Sequence, residues 1–599
     1  MRYLLILLLF GLQSVQLFAQ TNSYTISFEN TVHHEANITA SFIDVAEDTL
    51  SLRMSRTSPG RYALHEFAKN LYNFKAIDSK GNALTISRTN PYEWKVSGHD
   101  GTVKITYSLY ANRGDGTYSQ IDETHAHLNI PATFMYAPSL RERKIEVSFK
   151  IREDLNWKIA TQLPHVKDNT YSAPNLYYFM DSPTELSNHK VREFEVDGQT
   201  IKLALHDPGT EVEADQYFEK VKKVVLAEKE VFGELPTFDY GTYTFLACYM
   251  PNASGDGMEH RNSTILTSTR TLANGGMDGN IGTVSHEFFH SWNVERIRPK
   301  SLEPFNFEEA NMSGELWFAE GFTSYYTNLI LCRAELITAE KYVEGLTGTF
   351  NYVWNSPARQ FFNPIEMSYQ APFVDAATSV DPVNRENTFI SYYSYGSVLG
   401  LALDLSLREK GLNLDDFMKL VWTTYGKSES PYTIENLNKT LNSYAGEDFG
   451  NNFFNSFIYK SEMPSYAELF KTVGVSLYQD KEAAYFGAAV SITDGLNGKI
   501  QSNTKIGSPA YIAGLDKGDI ITAINGEKFP NGIQLNKFIE NEFKPKDNLS
   551  ITFLRDGSER KTEVTLTADP NYTISLIEKN EEAPSKKVLK ARKAWLKIE

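Results

Sequence analysis

Thr283-Val-Ser-His286-Glu287-Phe-Phe-His290-Ser-Trp-Asn293 is the stretch that decides how the rest of the chain is read. It contains His-Glu-x-x-His. On a helix, residues four apart lie one above the other on the same face, so His286 and His290 can aim two imidazole nitrogens at one point. Glu287 stands about 100° around the helix. It cannot share that coordination position, but it can sit beside a metal and take a proton from water. Phe288 and Phe289 supply the opposite, core-facing surface. The helix is expected to run from Gly282 to Val294. A buried helix carrying two histidines and a carboxylate needs partners for them. A satisfied amphipathic helix is the bland alternative to a zinc site.

A hydrolytic zinc site takes three protein ligands and keeps a fourth position open. The third ligand is sought in Gly314-Glu-Leu-Trp-Phe-Ala-Glu320-Gly-Phe-Thr-Ser-Tyr-Tyr326. Glu320 lies in an aromatic helix, expected over Leu316 to Leu336, where a lone buried carboxylate is costly without a cation. Glu315 competes. It sits near the helix start, where the dipole favours an acid without any metal, so Glu320 is the preferred ligand.

These two segments together resemble the gluzincin zinc metallopeptidases, and among them the glycyl aminopeptidase family. Three further stretches carry the resemblance: Gly257-Met-Glu259-His260-Arg-Asn262, Ser291 to Pro299, and Ser58-Pro-Gly-Arg-Tyr-Ala-Leu-His-Glu-Phe-Ala-Lys-Asn70. The resemblance implies one Zn²⁺ per chain on His286, His290 and Glu320, with Glu287 as general base. It also implies that Glu259 meets the free α-amine of a peptide, with His260 beside it. A carboxylate in that place selects an aminopeptidase, because an acylated end would leave it unpaired. The family's oxyanion tyrosine aligns with Tyr393 in Ile390-Ser-Tyr392-Tyr393-Ser-Tyr395-Gly396, where Tyr395 replaces the usual lysine. Tyr392 stays open as the alternative. Asn293, Arg296 and Ser324 are candidates for supporting positions. A preference for small N-terminal residues, Gly or Ala, rests on the resemblance alone. The alternatives are an endopeptidase on the same zinc chemistry and a peptide-binding protein with a vestigial zinc site.

Working outward, the chain of 599 residues is too long for one hydrophobic core. Met1-Arg2-Tyr3, the apolar run Leu4 to Leu12 and a small residue at Ala19 read as a secretory signal over 1–19, with an apolar run shorter than a membrane-spanning helix needs. The mature protein is therefore expected to be exported, periplasmic or secreted, with no integral membrane segment. Residues 20–205 alternate apolar and polar side chains, as in Tyr24 to Phe28 and Lys144 to Phe149, and are expected to form a β-sandwich-like domain. Residues 206–475 mix helices and strands, and the resemblance implies a thermolysin-like catalytic domain. The expected architecture is multidomain α+β. Within 480–570, Gly507-Ser-Pro-Ala-Tyr-Ile-Ala-Gly514 and Asn525-Gly526 look like a PDZ domain, a module that adds a peptide as an extra strand. Phe486 and Gly487 are its candidate carboxylate loop. Residues 571–599 form a basic tail whose Val588, Leu589, Trp595 and Leu596 suit a helix docking on its own protein. A net charge of −16 disfavours nucleic acid as a partner. Cys248 and Cys332 are too few for a disulfide scaffold and can be paired or free.

Overall fold

The computed structural model describes residues 20–374, 381–493, 497–528, 534–580 and 583–598. The run read as an export signal lies outside the described residues. No helix among those residues is long and apolar enough to cross a membrane.

The N-terminal part is β-rich. In strand Thr21–Asn30 the buried side chains Tyr24, Ile26 and Phe28 alternate with polar neighbours, as the period of two demands. This strand pairs in parallel with Lys144–Lys150 and antiparallel with Glu35–Phe42, near the centre of a seven-stranded sheet. A three-stranded sheet (Thr49–Arg53, Glu93–Ser97, Thr85–Asn90) contributes Leu50, Leu52 and Trp94 to the same core. A four-stranded sheet, Lys158–Thr161, Thr184–Ser187, His125–Leu128 and Gln120–Ile121, completes this part of the molecule.

The catalytic part opens on a five-stranded sheet in the order Lys190–Val196, Gln199–His206, Thr242–Tyr249, Ser263–Ser268 and Asp256–His260, so residues 190–205, expected in the N-terminal domain, pair with the catalytic strands instead. Asp256–His260 therefore lies at the edge. Helix Glu211–Phe232 begins at a capping box between Thr210 and Glu213 and ends at Gly233, whose φ of 85° needs a glycine. Helices Ile281–Phe289, Gly321–Arg333, Ala339–Trp354 and Tyr392–Glu409 build one continuous core.

Two expected helices are cut shorter. The motif helix stops at Phe289 instead of reaching Val294, and the chain continues in looser turns in which Ile297 N–H reaches back to Trp292 O. The helix expected from Leu316 to Leu336 is two, Leu316–Ala319 and Gly321–Arg333, joined at Glu320.

The C-terminal module is a PDZ fold. Its sheet runs Val490–Thr493, Asn497–Ile500, Ile520–Ile524, Asn548–Arg555, Ser558–Thr565, with helices Pro509–Ile512 and Leu535–Glu542 against it. Asn525 and Gly526, both at positive φ, turn strand Ile520–Ile524 into the short strand Glu527–Lys528. Beyond it, Tyr572–Leu576 returns to pair with Val475–Gln479. Helix Lys586–Leu596 then docks on the catalytic core: Trp595 and Leu596 are fully buried, and Trp595 Nε1 donates to Tyr325 Oη at 3.0 Å.

Candidate active site

The motif helix buries Val284, Phe288 and Phe289 completely, which turns His286 and His290 toward the helix that follows Glu320. The Nε2 atoms of the two histidines are 3.2 Å apart. Glu320 Oε2 lies 3.6 Å from Nε2 of His286 and 3.2 Å from that of His290. Three tetrahedral ligands about 2 Å from one ion are separated by about 3.3 Å, so the triangle has the size of a zinc face.

The tautomers agree. His290 Nδ1 donates to the Asn293 carbonyl at 2.5 Å. His286 Nδ1 lies 3.1 Å from Thr327 Oγ1, whose own proton goes to the Thr323 carbonyl. Each histidine thus spends its N–H outward and presents an Nε2 lone pair inward. Two lone pairs and a carboxylate oxygen converge, and Glu320 Oε2 is buried without a hydrogen-bond partner. A cation satisfies such a donor set.

The early end of the motif helix now has a reason. Loosening the turn after Phe289 brings the Asn293 carbonyl round to His290. The Asn293 side chain donates to the Phe318 and Ala319 carbonyls, each at 3.1 Å, and fixes the turn that delivers Glu320. Arg296 serves elsewhere: it holds the Ser291 and Arg261 carbonyls, pinning the end of the edge strand to the motif segment. Glu315 is not brought to the histidines; Ser301 and Ser313 donate to it at 2.9 and 2.8 Å.

Glu287 lies between His290 of the ligand triangle and Gly257 of the edge strand. Carboxylate oxygens of Glu259 and Glu287 and a nitrogen of His290 lie within 4.8 Å of one another. Burial, with the Glu259 and Glu320 carboxylates added, raises the Glu287 pKa well above its ordinary value despite His290. Burial likewise raises that of Glu259. His260 is not with them. It is buried and faces Asp181, Nδ1 to Oδ1 at 2.8 Å.

Of the three tyrosines, Tyr393 stands over His286, ring centroids 5.8 Å apart. Tyr392 packs between Tyr62 and Tyr393, and Tyr395 belongs to the helical core. Burial and the nearby Glu320 carboxylate push the Tyr393 phenol well above its usual pKa, keeping its proton. Behind Tyr393 a cavity of about 260 Å³ opens between helices Ile281–Phe289, Gly321–Arg333, Ala339–Trp354 and Tyr392–Glu409, lined by His286, Ser324, Thr327, Leu346 and Ser397 among others.

Sequence reasoning missed three contributors. Thr327 orients His286; a threonine two turns beyond Glu320 on an aromatic helix was the available signal. Tyr62 Oη donates to Glu320 Oε1 at 2.8 Å, and Arg61 pairs with Asp256 at the start of the edge strand. Both lie in the Ser58–Asn70 stretch, whose pattern marked its domain but not its reach into the site. In the PDZ module, Phe486 is buried and its carbonyl accepts from Ala510 N–H, while Gly487 at φ 85° abuts Ser508. The cysteines do not pair: Cys248 and Cys332 are both free and buried.

Three family models match the chain: a peptidase M61 N-terminal domain over residues 23–188, M61 glycyl aminopeptidase over 279–399 and a PDZ domain over 484–566. An aminopeptidase N family protein from Idiomarina loihiensis shares the fold at 23% identity and a TM-score of 0.83, over 96% of this chain and 100% of that one. An M1 zinc metallopeptidase from Deinococcus radiodurans aligns at 12% identity and a TM-score of 0.44, over 74% of this chain and 95% of the other. A probable periplasmic serine endoprotease DegP-like protein of Marinomonas sp. (strain MWYL1) is 37% identical over 78 residues, spanning 13% of this chain and 16% of that relative. Two family models in chain order on the N-terminal and catalytic parts, with a third on the PDZ module, agree with the geometry: the chain belongs to the M61 glycyl aminopeptidase family of zinc metallopeptidases.

Proposed function

We propose that the protein is an exported, zinc-dependent aminopeptidase that removes small N-terminal residues, Gly or Ala, from peptides. The observation that carries the aminopeptidase reading is Glu259. Its buried carboxylate stands beside Glu287 and His290, and no side-chain hydrogen bond reaches it among the described residues. A substrate α-ammonium would give this carboxylate a cation to pair with, and an acylated end would not. Export is supported by the residues of 1–19.

His286, His290 and Glu320 would hold the zinc, which when bound supplies Lewis acidity to the scissile carbonyl and acidifies water. Glu259 binds the substrate amine and so sets which peptide bond is presented. Glu287, one position round the helix from His286, takes the proton from the attacking water and passes it to the leaving amine. Tyr393 keeps its phenolic proton and donates to the carbonyl oxygen as charge develops there. Tyr62 holds Glu320 from behind. The PDZ module, through the edge of its sheet, takes a peptide C-terminus as an added strand.

The test uses glycyl- and alanyl-amides with free or acetylated N-termini, before and after chelation and zinc restoration. Zinc-dependent turnover of the free amines alone is expected, with kcat/KM falling at least about tenfold in Glu259→Gln. Cleavage of the acetylated substrates at a similar rate would refute the aminopeptidase reading in favour of an endopeptidase.

A further inference from the structure

A second set of metal-type donors lies outside the active site, on the seam between the N-terminal and catalytic parts. His125, Glu185, His206 and Cys248 are buried, and one donor atom from each lies within 4.8 Å of the other three. His125 Nδ1 and His206 Nδ1 are 3.2 Å apart. Glu185 Oε1 is 3.5 Å from each. Cys248 Sγ is 3.3 Å from His125 Nδ1 and 3.6 Å from His206 Nδ1. Tetrahedral zinc with two nitrogens, one oxygen and one sulfur separates its ligands by about 3.3 to 3.6 Å.

The backbone fixes these positions. His206 and Cys248 are register partners on parallel neighbouring strands of the catalytic sheet. His125 and Glu185 come from adjacent strands of the four-stranded sheet. Protonation follows from hydrogen bonds. Gln120 Nε2 donates to the Asn252 carbonyl, so its Oε1 faces His125 Nε2 at 3.1 Å. His125 therefore carries its proton on Nε2 and aims a lone pair from Nδ1 into the cluster. Glu185 Oε1 is buried and unpartnered, while Oε2 lies 3.1 Å from Nδ1 of His127, whose Nε2 donates to the Asp115 carbonyl at 3.0 Å. A buried carboxylate with one free oxygen aimed at two imidazoles and a thiol is the arrangement of a metal ligand.

We propose that His125, Glu185, His206 and Cys248 bind a second Zn²⁺, giving two per chain. The thiolate and two imidazoles select a borderline-soft ion over Mg²⁺ or Ca²⁺. Four protein ligands leave no open position, so the site is structural. It ties the strands carrying His125 and Glu185 to the sheet whose edge bears Glu259. A surface pocket lined by His189, His206 and Asp207 provides the way in. Binding releases the Cys248 proton to solvent.

The test is metal analysis of the full chain with cobalt substitution. The wild type is expected to hold about two equivalents. His290→Ala, which breaks the active-site set, should keep one, and its cobalt form should retain a thiolate-to-cobalt charge-transfer band in the near ultraviolet. Cys248→Ser should lose that band and one equivalent. Should Cys248→Ser fail to fold, the His290→Ala protein decides alone. A wild type with one equivalent that vanishes in His290→Ala, or a cobalt form without the thiolate band, overturns the proposal and leaves a metal-free hydrogen-bonded cluster.

Discussion

A Cβ built on Gly257 would stand 2.1 Å from Glu287 Oε1 and 2.8 Å from Thr283 Cγ2. The edge strand thus touches the base directly, and only a glycine leaves Glu287 where it is. Gly257→Ala should displace that carboxylate without touching a zinc ligand. A misplacement of about 1 Å costs roughly 10²-fold in rate, so kcat should fall by about that factor while metal content stays unchanged. Lost zinc in Gly257→Ala would show the damage to be to the metal set instead. The tyrosines separate in the same way. Tyr393→Phe removes the phenol standing over His286 and should lower kcat by about 10²- to 10³-fold, the effect of deleting one oxyanion donor. Tyr392→Phe, inside an aromatic stack, should change kcat little. Equal losses in both would reopen the register that the Tyr395 substitution for lysine left undecided in the sequence.

Glu320 and Tyr393 reach the site on two helices that cross at glycines. A Cβ on Gly396 would meet the Trp317 carbonyl at 1.8 Å and Gly321 Cα at 2.6 Å, so the backbones are in contact where the ligand and the phenol emerge. Gly396→Ala must push the helices apart, which should destabilise the protein by about 1–3 kcal/mol or more and lower kcat at sites it does not touch. A stable variant with normal kcat would show that the crossing does not set the site. The second element is the Ser58–Asn70 loop, whose Tyr62 holds Glu320. Losing an outer partner of a metal ligand typically weakens metal binding by about 10- to 100-fold; competition with a chelator should show this for Tyr62→Phe. These crossings mark where the sequence stops being legible. His286, His290 and Glu320 could be read because helical periodicity and the cost of a buried carboxylate are local. The motif helix ending at Phe289, the break at Glu320 and the arrival of Tyr62 depend on partners far along the chain. The cluster of His125, Glu185, His206 and Cys248 was invisible for the same reason: its ligands come from four strands with no common spacing.

At the scale of the molecule, the C-terminal helix is fastened to the motif helix through one carboxylate. Asp415 accepts from Tyr326 Oη at 2.9 Å, from both its oxygens faces Arg333 at 3.0 and 2.9 Å, and pairs with Lys597 at 3.1 Å. Arg333 in turn donates to the Trp595 carbonyl, and Tyr326 stacks on Phe289 of the motif helix at 4.7 Å. The tail is therefore a buttress of the catalytic core. Burial works against the charged Asp415, but Arg333 and Lys597 outweigh it, so its folded pKa lies below the ordinary value. A depressed carboxylate contributes stability that is full above the unfolded pKa, about 3.9 for Asp, and that fades as the pH falls through the lower folded value. Asp415→Asn keeps the shape and leaves Arg333, with 2% of its side chain exposed, unneutralised. Breaking a buried pair in this way costs about 3–5 kcal/mol, so the variant should be less stable than the wild type by about that much at neutral pH. Denaturant unfolding repeated at decreasing pH should show the difference closing only below the ordinary Asp range, because the wild-type advantage is lost on protonation while the asparagine has nothing to lose. A difference that stays constant with pH would mean that Asp415 holds the tail by shape and hydrogen bonding, and that its charge contributes nothing.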